Sequence, residues 1–299
     1  MSTEPQVWSH PACRRHDPGP GHPESPSRLL TLLQRLQSEG LAVSEAEPAT
    51  PDELAAVHDS GYLELLAATA DRDWTALDSD TVAIRSSWSA IRGAAGAALA
   101  AARVAREGGR AFAAVRPPGH HALADRAMGF CFVGHAALCA RDLLARGAER
   151  VMIVDWDVHH GNGTQALVET DPRIRFVSLH QWPAYPGTGR AEERGCGNIW
   201  NLPLAPGFAP ARYRDALWQG IEQAGEGWTP DALVISAGFD CLAGDPLGGF
   251  TLEPEDLGDI TLRLRTRWPS AGIASLLEGG YRPDRLADGV MAHLRALGA

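Results

Sequence analysis

Apolar residues along this chain come in short unbroken runs, separated by longer stretches in which they recur every three or four positions. The runs are AFAAV at 111–115, RVMIVDWD at 150–157, RFVSL at 175–179, IWNLPL at 199–204, ALVIS at 232–236 and IASLLE at 273–278. They predict strands buried on both faces. Helical spacing lies between most of them, at 131–146, 210–224, 254–267 and 283–297. Upstream, Arg28 opens an amphipathic helix (RLLTLLQRLQSEG) that Gly40 ends, and shorter helices are expected at 51–57 and 61–70. The Ala-rich stretch from Trp88 to Arg106 predicts a long helix closed by Gly108-Gly109. The Pro-rich stretch from Pro18 to Pro26 reads as an ordered surface loop. Strands alternating with helices predict an α/β fold with a parallel sheet covered on both faces, and ligands then bind beyond the carboxyl ends of the strands.

Polar residues collect at those ends. Strand 111–115 runs into Arg116-Pro117-Pro118-Gly119-His120-His121, and strand 150–154 into Asp155-Trp156-Asp157-Val158-His159-His160-Gly161-Asn162-Gly163. His180, Gly238-Phe239-Asp240 and Glu278-Gly279-Gly280-Tyr281 end three more strands. Asp and His suit a divalent ion such as zinc, and a catalytic zinc takes three protein ligands and leaves a position for water. Asp157 and His159 supply two from one strand end, and Asp240 can close the set from another. The tandem His120-His121 suits general acid/base work beside a water whose pKa the ion lowers. Asp155 and Asn162 are expected on a neighbouring strand end as orienting partners. Tyr281 can donate a hydrogen bond to a carbonyl oxygen as it becomes an oxyanion. His10, His16, His22, His58 and His293 lack such a context and read as surface or structural residues.

Length and composition narrow the setting. The 299 residues show no repeat, no low-complexity tract and no linker, so one domain over 1–299 is expected. With 44% hydrophobic and 21% charged residues the chain can bury a full core, and its net charge of -10 argues against a nucleic-acid surface. Five widely spaced cysteines without a CxxC favour reduced thiols and a cytoplasmic location. The N-terminus has no apolar run that could be a signal peptide, and no segment is long and apolar enough to span a membrane. GxSxG, GxxxxGK[ST], HExxH and a GxGxxG after a strand are all missing, which sets aside the chemistries they carry.

RPPGHHA (116–122), GFC (129–131), VDWDVHHGNGTQ (154–165), SLH (178–180), YPGTG (185–189), SAGFD (236–240), DPLGGF (245–250) and LEGGY (277–281) together carry a family likeness. In this order they resemble the histone deacetylase, acetylpolyamine amidohydrolase and acetoin-utilisation superfamily, most of all its class II branch. HPESPSRL at 22–29 resembles the family's N-terminal loop and first helix. The resemblance implies an arginase-like α/β/α sandwich with a mainly parallel sheet of about eight strands. It implies one catalytic zinc on Asp157, His159 and Asp240, His120 paired with Asp155, His121 paired with Asn162, and Tyr281 as the catalytic tyrosine. It also implies an acyl tunnel lined by Gly129, Phe130, Tyr185 and Leu247. A structural potassium ion is implied near Asp155, Asp157, His159, Ser178 and Leu179. A carboxylate gripping substrate amides matches Asp80 or Asp78.

The likeness has three departures. Gly134-His135 stand where relatives carry asparagines, which makes His135 an additional titrating candidate. Tyr185 stands where Phe is frequent, and the chain is short for the family. Leu247 occupies a position where polyamine-selective members carry an acid. The expected activity is hydrolysis of an N-acyl amine such as acetyl-lysine, an acetylpolyamine or an acetylated metabolite. An arginase-like binuclear manganese hydrolase and a non-catalytic acyl-amine binding protein remain as alternatives. The acyl length, the choice between zinc and iron(II) and any oligomeric state stay open.

Overall fold

The computed structural model describes residues 4–299. The first half carries β1 (Gln6–Ser9), α1 (Pro26–Ser38), β2 (Val43–Glu45), α2 (Pro51–Leu54), α3 (Ser60–Ala68), β3 (Thr75–Ala76), β4 (Val82–Ala83), α4 (Ser87–Arg106) and β5 (Arg110–Ala113). The second half carries α5 (His135–Ala145), β6 (Val151–Asp155), α6 (Asn162–Val168), β7 (Ile174–Gln181), β8 (Ile199–Leu204), α7 (Pro210–Gly225), β9 (Ala232–Ala237), α8 (Pro254–Arg267), β10 (Gly272–Leu277) and α9 (Pro283–Gly298).

Eight strands form one sheet in the order β2-β1-β5-β10-β9-β6-β7-β8, and every pairing in it is parallel. β6, β9 and β10 are buried at every position, as unbroken apolar runs in a doubly covered sheet require. Helices α4 and α5 pack on one face, while α1, α7, α8 and α9 share the other, giving the expected three-layer sandwich. α4 lies close to the sheet because its buried side is built from small residues such as Ala94, Ala98 and Ala102. Each fully buried Leu, Ile or Val in the central strands contributes roughly 1.5–3 kcal/mol relative to exposure.

Local expectations differ from the structure in a few places. The helix expected from 131 begins only at His135, because Gly129 and Phe130 adopt left-handed φ of 56° and 66° and Met128 bridges Cys131 in a tight turn. Positive φ is rare for a residue as bulky as Phe130. The short helix expected at 51–57 is a single turn held by a Thr50–Glu53 capping box. β1 and β2 were not expected; with four and three residues they are too short for a periodicity to register. The loop between Pro18 and Pro26 is not all surface, since Glu24 is fully buried. Among the described residues, no helix is long and apolar enough to cross a membrane.

Candidate active site

The sheet order sets the carboxyl ends of β5, β10, β9 and β6 side by side. Asp157 and His159 lie in the loop after β6, and Asp240 in the loop after β9. Ligand atoms of these three residues lie within 4.8 Å of one another. His159 Nδ1 is 3.1 Å from Asp157 Oδ1 and 3.3 Å from Asp240 Oδ2. Backbone N–H groups hold both carboxylates: Gly279 N donates to Asp157 Oδ2 at 2.8 Å, His159 N to Asp157 Oδ1 at 3.0 Å, and Val158 N to Asp240 Oδ1 at 2.9 Å. Asp240 Oδ2 is buried and has no hydrogen-bond partner. Burial, and then the neighbouring Asp157, push Asp240 up to about 7. Gly279 is required here, because a Cβ on it would lie 2.0 Å from Asp240 Oδ2 and 2.6 Å from Asp157 Oδ2.

His120 and His121 leave the end of β5. The sheet order puts β10 and β9 between β5 and β6, so Asp155 and Asn162 are not on the neighbouring strand end that the sequence suggested. The turn nevertheless reaches them. His120 Nδ1 is 3.1 Å from Asp155 Oδ2, His121 Nδ1 is 2.7 Å from Asn162 Oδ1, and Thr164 N at the start of α6 donates to His120 O at 3.0 Å. Burial alone would lower His120, but the Asp157 and Asp155 carboxylates outweigh it and hold its pKa up to about 10. His121 is pushed well below 6.5 by burial and then by His120 and His159. The two adjacent imidazoles are thereby pushed in opposite directions, an arrangement suited to acid/base work.

Above these groups opens a cavity of about 290 Å³ lined by Asp80, His121, Gly129, Phe130, His159, Ala184, Tyr185, Leu247 and Tyr281. All four expected tunnel residues line it, and Ala184 joins them. The Tyr185 ring stands edge-on to His121 with centroids 5.1 Å apart, and Phe130 is edge-on to Tyr281 at 5.8 Å. Asp80 rather than Asp78 reaches the wall, where its Oδ1 accepts from Gly129 N at 3.1 Å and from the Thr81 hydroxyl at 2.8 Å. Asp78 caps its own turn instead, through Ser79 N. Burial raises the Tyr281 phenol well above its ordinary pKa against the pull of Arg28, so it stays a donor.

The model of the histone deacetylase domain matches residues 22–297. The chain belongs to the histone deacetylase family. It is 40% identical over 293 residues to an uncharacterised protein of Synechocystis sp., covering 95% of this chain and 96% of that one. A histone deacetylase-like amidohydrolase of Pseudomonas aeruginosa is 37% identical over 276 residues, 87% of this chain and 73% of the other. The crystal structure of the HDA15 HD domain superposes with a TM-score of 0.95 at 34% identity, covering 99% of this chain and 89% of that one.

This deacetylase site has supports that sequence reasoning missed. Glu24 accepts from Arg116 Nε at 2.7 Å, Arg116 Nη2 at 2.6 Å and Arg28 Nη1 at 2.9 Å, all three side chains being buried. Arg28 in turn donates to the backbone carbonyls of Glu278 and Gly280, and its guanidinium lies 4.9 Å from the Tyr281 ring centroid. Asp245 accepts from Tyr281 N at 2.7 Å and Leu247 N at 2.9 Å, joining the tyrosine turn to the tunnel mouth. The only signal for these residues was their place inside the motifs HPESPSRL, RPPGHHA and DPLGGF. His135 does not act as an additional titrating group near neutral pH, because burial pushes its pKa down to about 3. His293 is structural, bonded to Thr261 at 2.6 Å and Ser275 at 2.8 Å.

Proposed function

We propose that the chain is a zinc-dependent hydrolase that removes acetyl or another acyl group from an amine, working as one catalytic domain over residues 1–299. The observation that carries this reading is the meeting of Asp157, His159 and Asp240 at the foot of the tunnel, with Asp240 Oδ2 buried and without a hydrogen bond. Two buried carboxylates side by side concentrate negative charge, which a divalent cation offsets. Two carboxylates and one imidazole also suit zinc with a fourth position open. Bound on these three residues, zinc supplies Lewis acidity and lowers the pKa of a bound water from 15.7 toward about 7.

The chain's own residues do the rest. Asn162 Oδ1 keeps the proton on His121 Nδ1, so His121 presents a lone pair at Nε2. There it takes a proton from the attacking water and later gives it to the leaving amine. His120, held by Asp155, offsets in its protonated form the negative charge that builds on the reacting carbonyl group. The Tyr281 phenol donates to the carbonyl oxygen as it becomes an oxyanion. Phe130, Tyr185 and Leu247 hold the alkyl stem of the amine and keep water out, while Asp80 grips polar groups at the mouth. A potassium ion is assigned to Asp155, Ser178 and Leu179 with the main chain of Asp157 and His159; Asp155 and Ser178 are register partners of β6 and β7. All five cysteines are free, which suits a reducing, cytoplasmic setting.

The test is a deacylation screen of the zinc-loaded protein over acetyl-lysine peptides, acetylpolyamines and longer acyl groups. Acetate release is expected, and Asp157→Ala should abolish it together with the bound zinc. Tight binding without turnover across the panel would favour the non-catalytic reading. Two equivalents of manganese per chain would favour the binuclear one.

A further inference from the structure

Glu278 is a wholly buried acid that the chemistry above leaves unused, and it lies against the histidine turn. Its Oε2 accepts from two consecutive backbone N–H groups, Gly119 at 2.7 Å and His120 at 3.1 Å. Its Oε1 is buried without a hydrogen-bond partner, and its carboxylate lies within 4.8 Å of ligand atoms of His120 and Cys131. The reason for the contact is in the sheet. β5 and β10 are neighbours whose register ends at Ala113 and Leu276, so no ladder bonds hold the 114–121 segment to β10 beyond that point. Two adjacent N–H groups pointing into the protein interior need an acceptor, and Glu278 supplies one from the end of β10.

We propose that Glu278 is a positioning residue that sets where His120 and His121 stand by gripping the turn that carries them. The assignment rests on the hydrolase reading above. On their other side the histidines are held by Asp155, Asn162 and Thr164, all reached from β6 and α6. Beside the longer route through Arg116, Glu24 and Arg28, Glu278 is therefore the direct link that ties the acid/base pair to the same strand end as Tyr281, three residues along the chain. Without it the turn keeps its contacts to β6 but loses its alignment with the phenol. A misplacement of about 1 Å in a reacting group can cost on the order of a hundredfold in rate.

Reach and charge can be separated. Glu278→Gln keeps an acceptor oxygen at the same reach and removes the charge, whereas Glu278→Asp keeps the charge and withdraws the oxygen by one methylene. In the zinc-loaded protein, Gln should hold kcat within about threefold of wild type, and Asp and Ala should lower it about a hundredfold with KM within about twofold. The imidazole NMR signals of His120 and His121 should hold in the Gln variant and move in the Asp variant. Should Ala fail to fold, the Gln and Asp pair decides. An active Asp variant beside an inactive Gln variant would overturn the proposal in favour of a charge effect, and so would unchanged kcat and imidazole signals in the Asp variant. If wild type turns over no acyl amine, the hydrolase reading falls, and the imidazole signals still decide whether Glu278 positions the turn.

Discussion

Replacing Glu24 by glutamine should destabilise this protein strongly near neutral pH and progressively less in acid. Glu24 sits buried between the Arg116 and Arg28 guanidiniums. Burial pushes its pKa up, but the two arginines outweigh that and hold it at about 2, against an ordinary 4.5. At 1.36 kcal/mol per pH unit that difference is worth about 3 kcal/mol. Breaking a buried pair by removing one partner costs a similar roughly 3–5 kcal/mol, because the other charges stay buried. The folded pKa is depressed, so this contribution is fully present above the unfolded value of 4.5 and is lost as pH falls toward 2. For 299 residues at about 2.1 cal/mol/K each, the unfolding entropy is about 0.6 kcal/mol/K, so Tm should drop by about 5 °C at pH 7. Thermal unfolding of both proteins, followed by circular dichroism from pH 7 to pH 3, measures the gap. A Tm within about 1 °C of wild type at pH 7, or a gap that stays constant down to pH 3, would refute the reasoning. Because Arg116 opens the histidine turn and Arg28 bonds the carbonyls of Glu278 and Gly280, the same variant should also lose turnover.

Two further outcomes follow from the tunnel and its foot. Tyr281→Phe should lower kcat by about 10²–10³ with KM nearly unchanged, because the phenol acts on the oxygen only as charge develops; a steady-state comparison showing intact kcat removes Tyr281 from the oxyanion. Leu247 is 39% exposed at the mouth, and Leu247→Glu should raise the kcat/KM ratio of acetylpolyamine over acetyl-lysine peptide about fivefold, the scale of one exposed charge pair. Competition assays with both substrates check this, and an unchanged ratio means the mouth at Leu247 does not read the amine's far end.

The fold class and most of the candidate site were legible in the chain because both depend on local pattern. Unbroken apolar runs between helical stretches demand a doubly covered parallel sheet, whatever the strand order turns out to be. Polar residues at the ends of such runs sit at the one place where an open α/β sheet offers a crevice. Asp157, His159, Asp240, His120, His121 and Tyr281 could therefore be named as a group before any distance was known. Tertiary structure decided which of them meet and what holds them there. His120 reaches Asp155 although β10 and β9 separate their strands, a crossing no local pattern encodes. Asp80 rather than Asp78 faces the tunnel because the tip of the β3–β4 hairpin turns it toward Gly129. For Glu24, Arg28, Arg116 and Glu278 the sequence offers a place in a motif or at a strand end but no partner. They are buried because each finds a partner from a segment far away in the chain, and only folding brings those partners together.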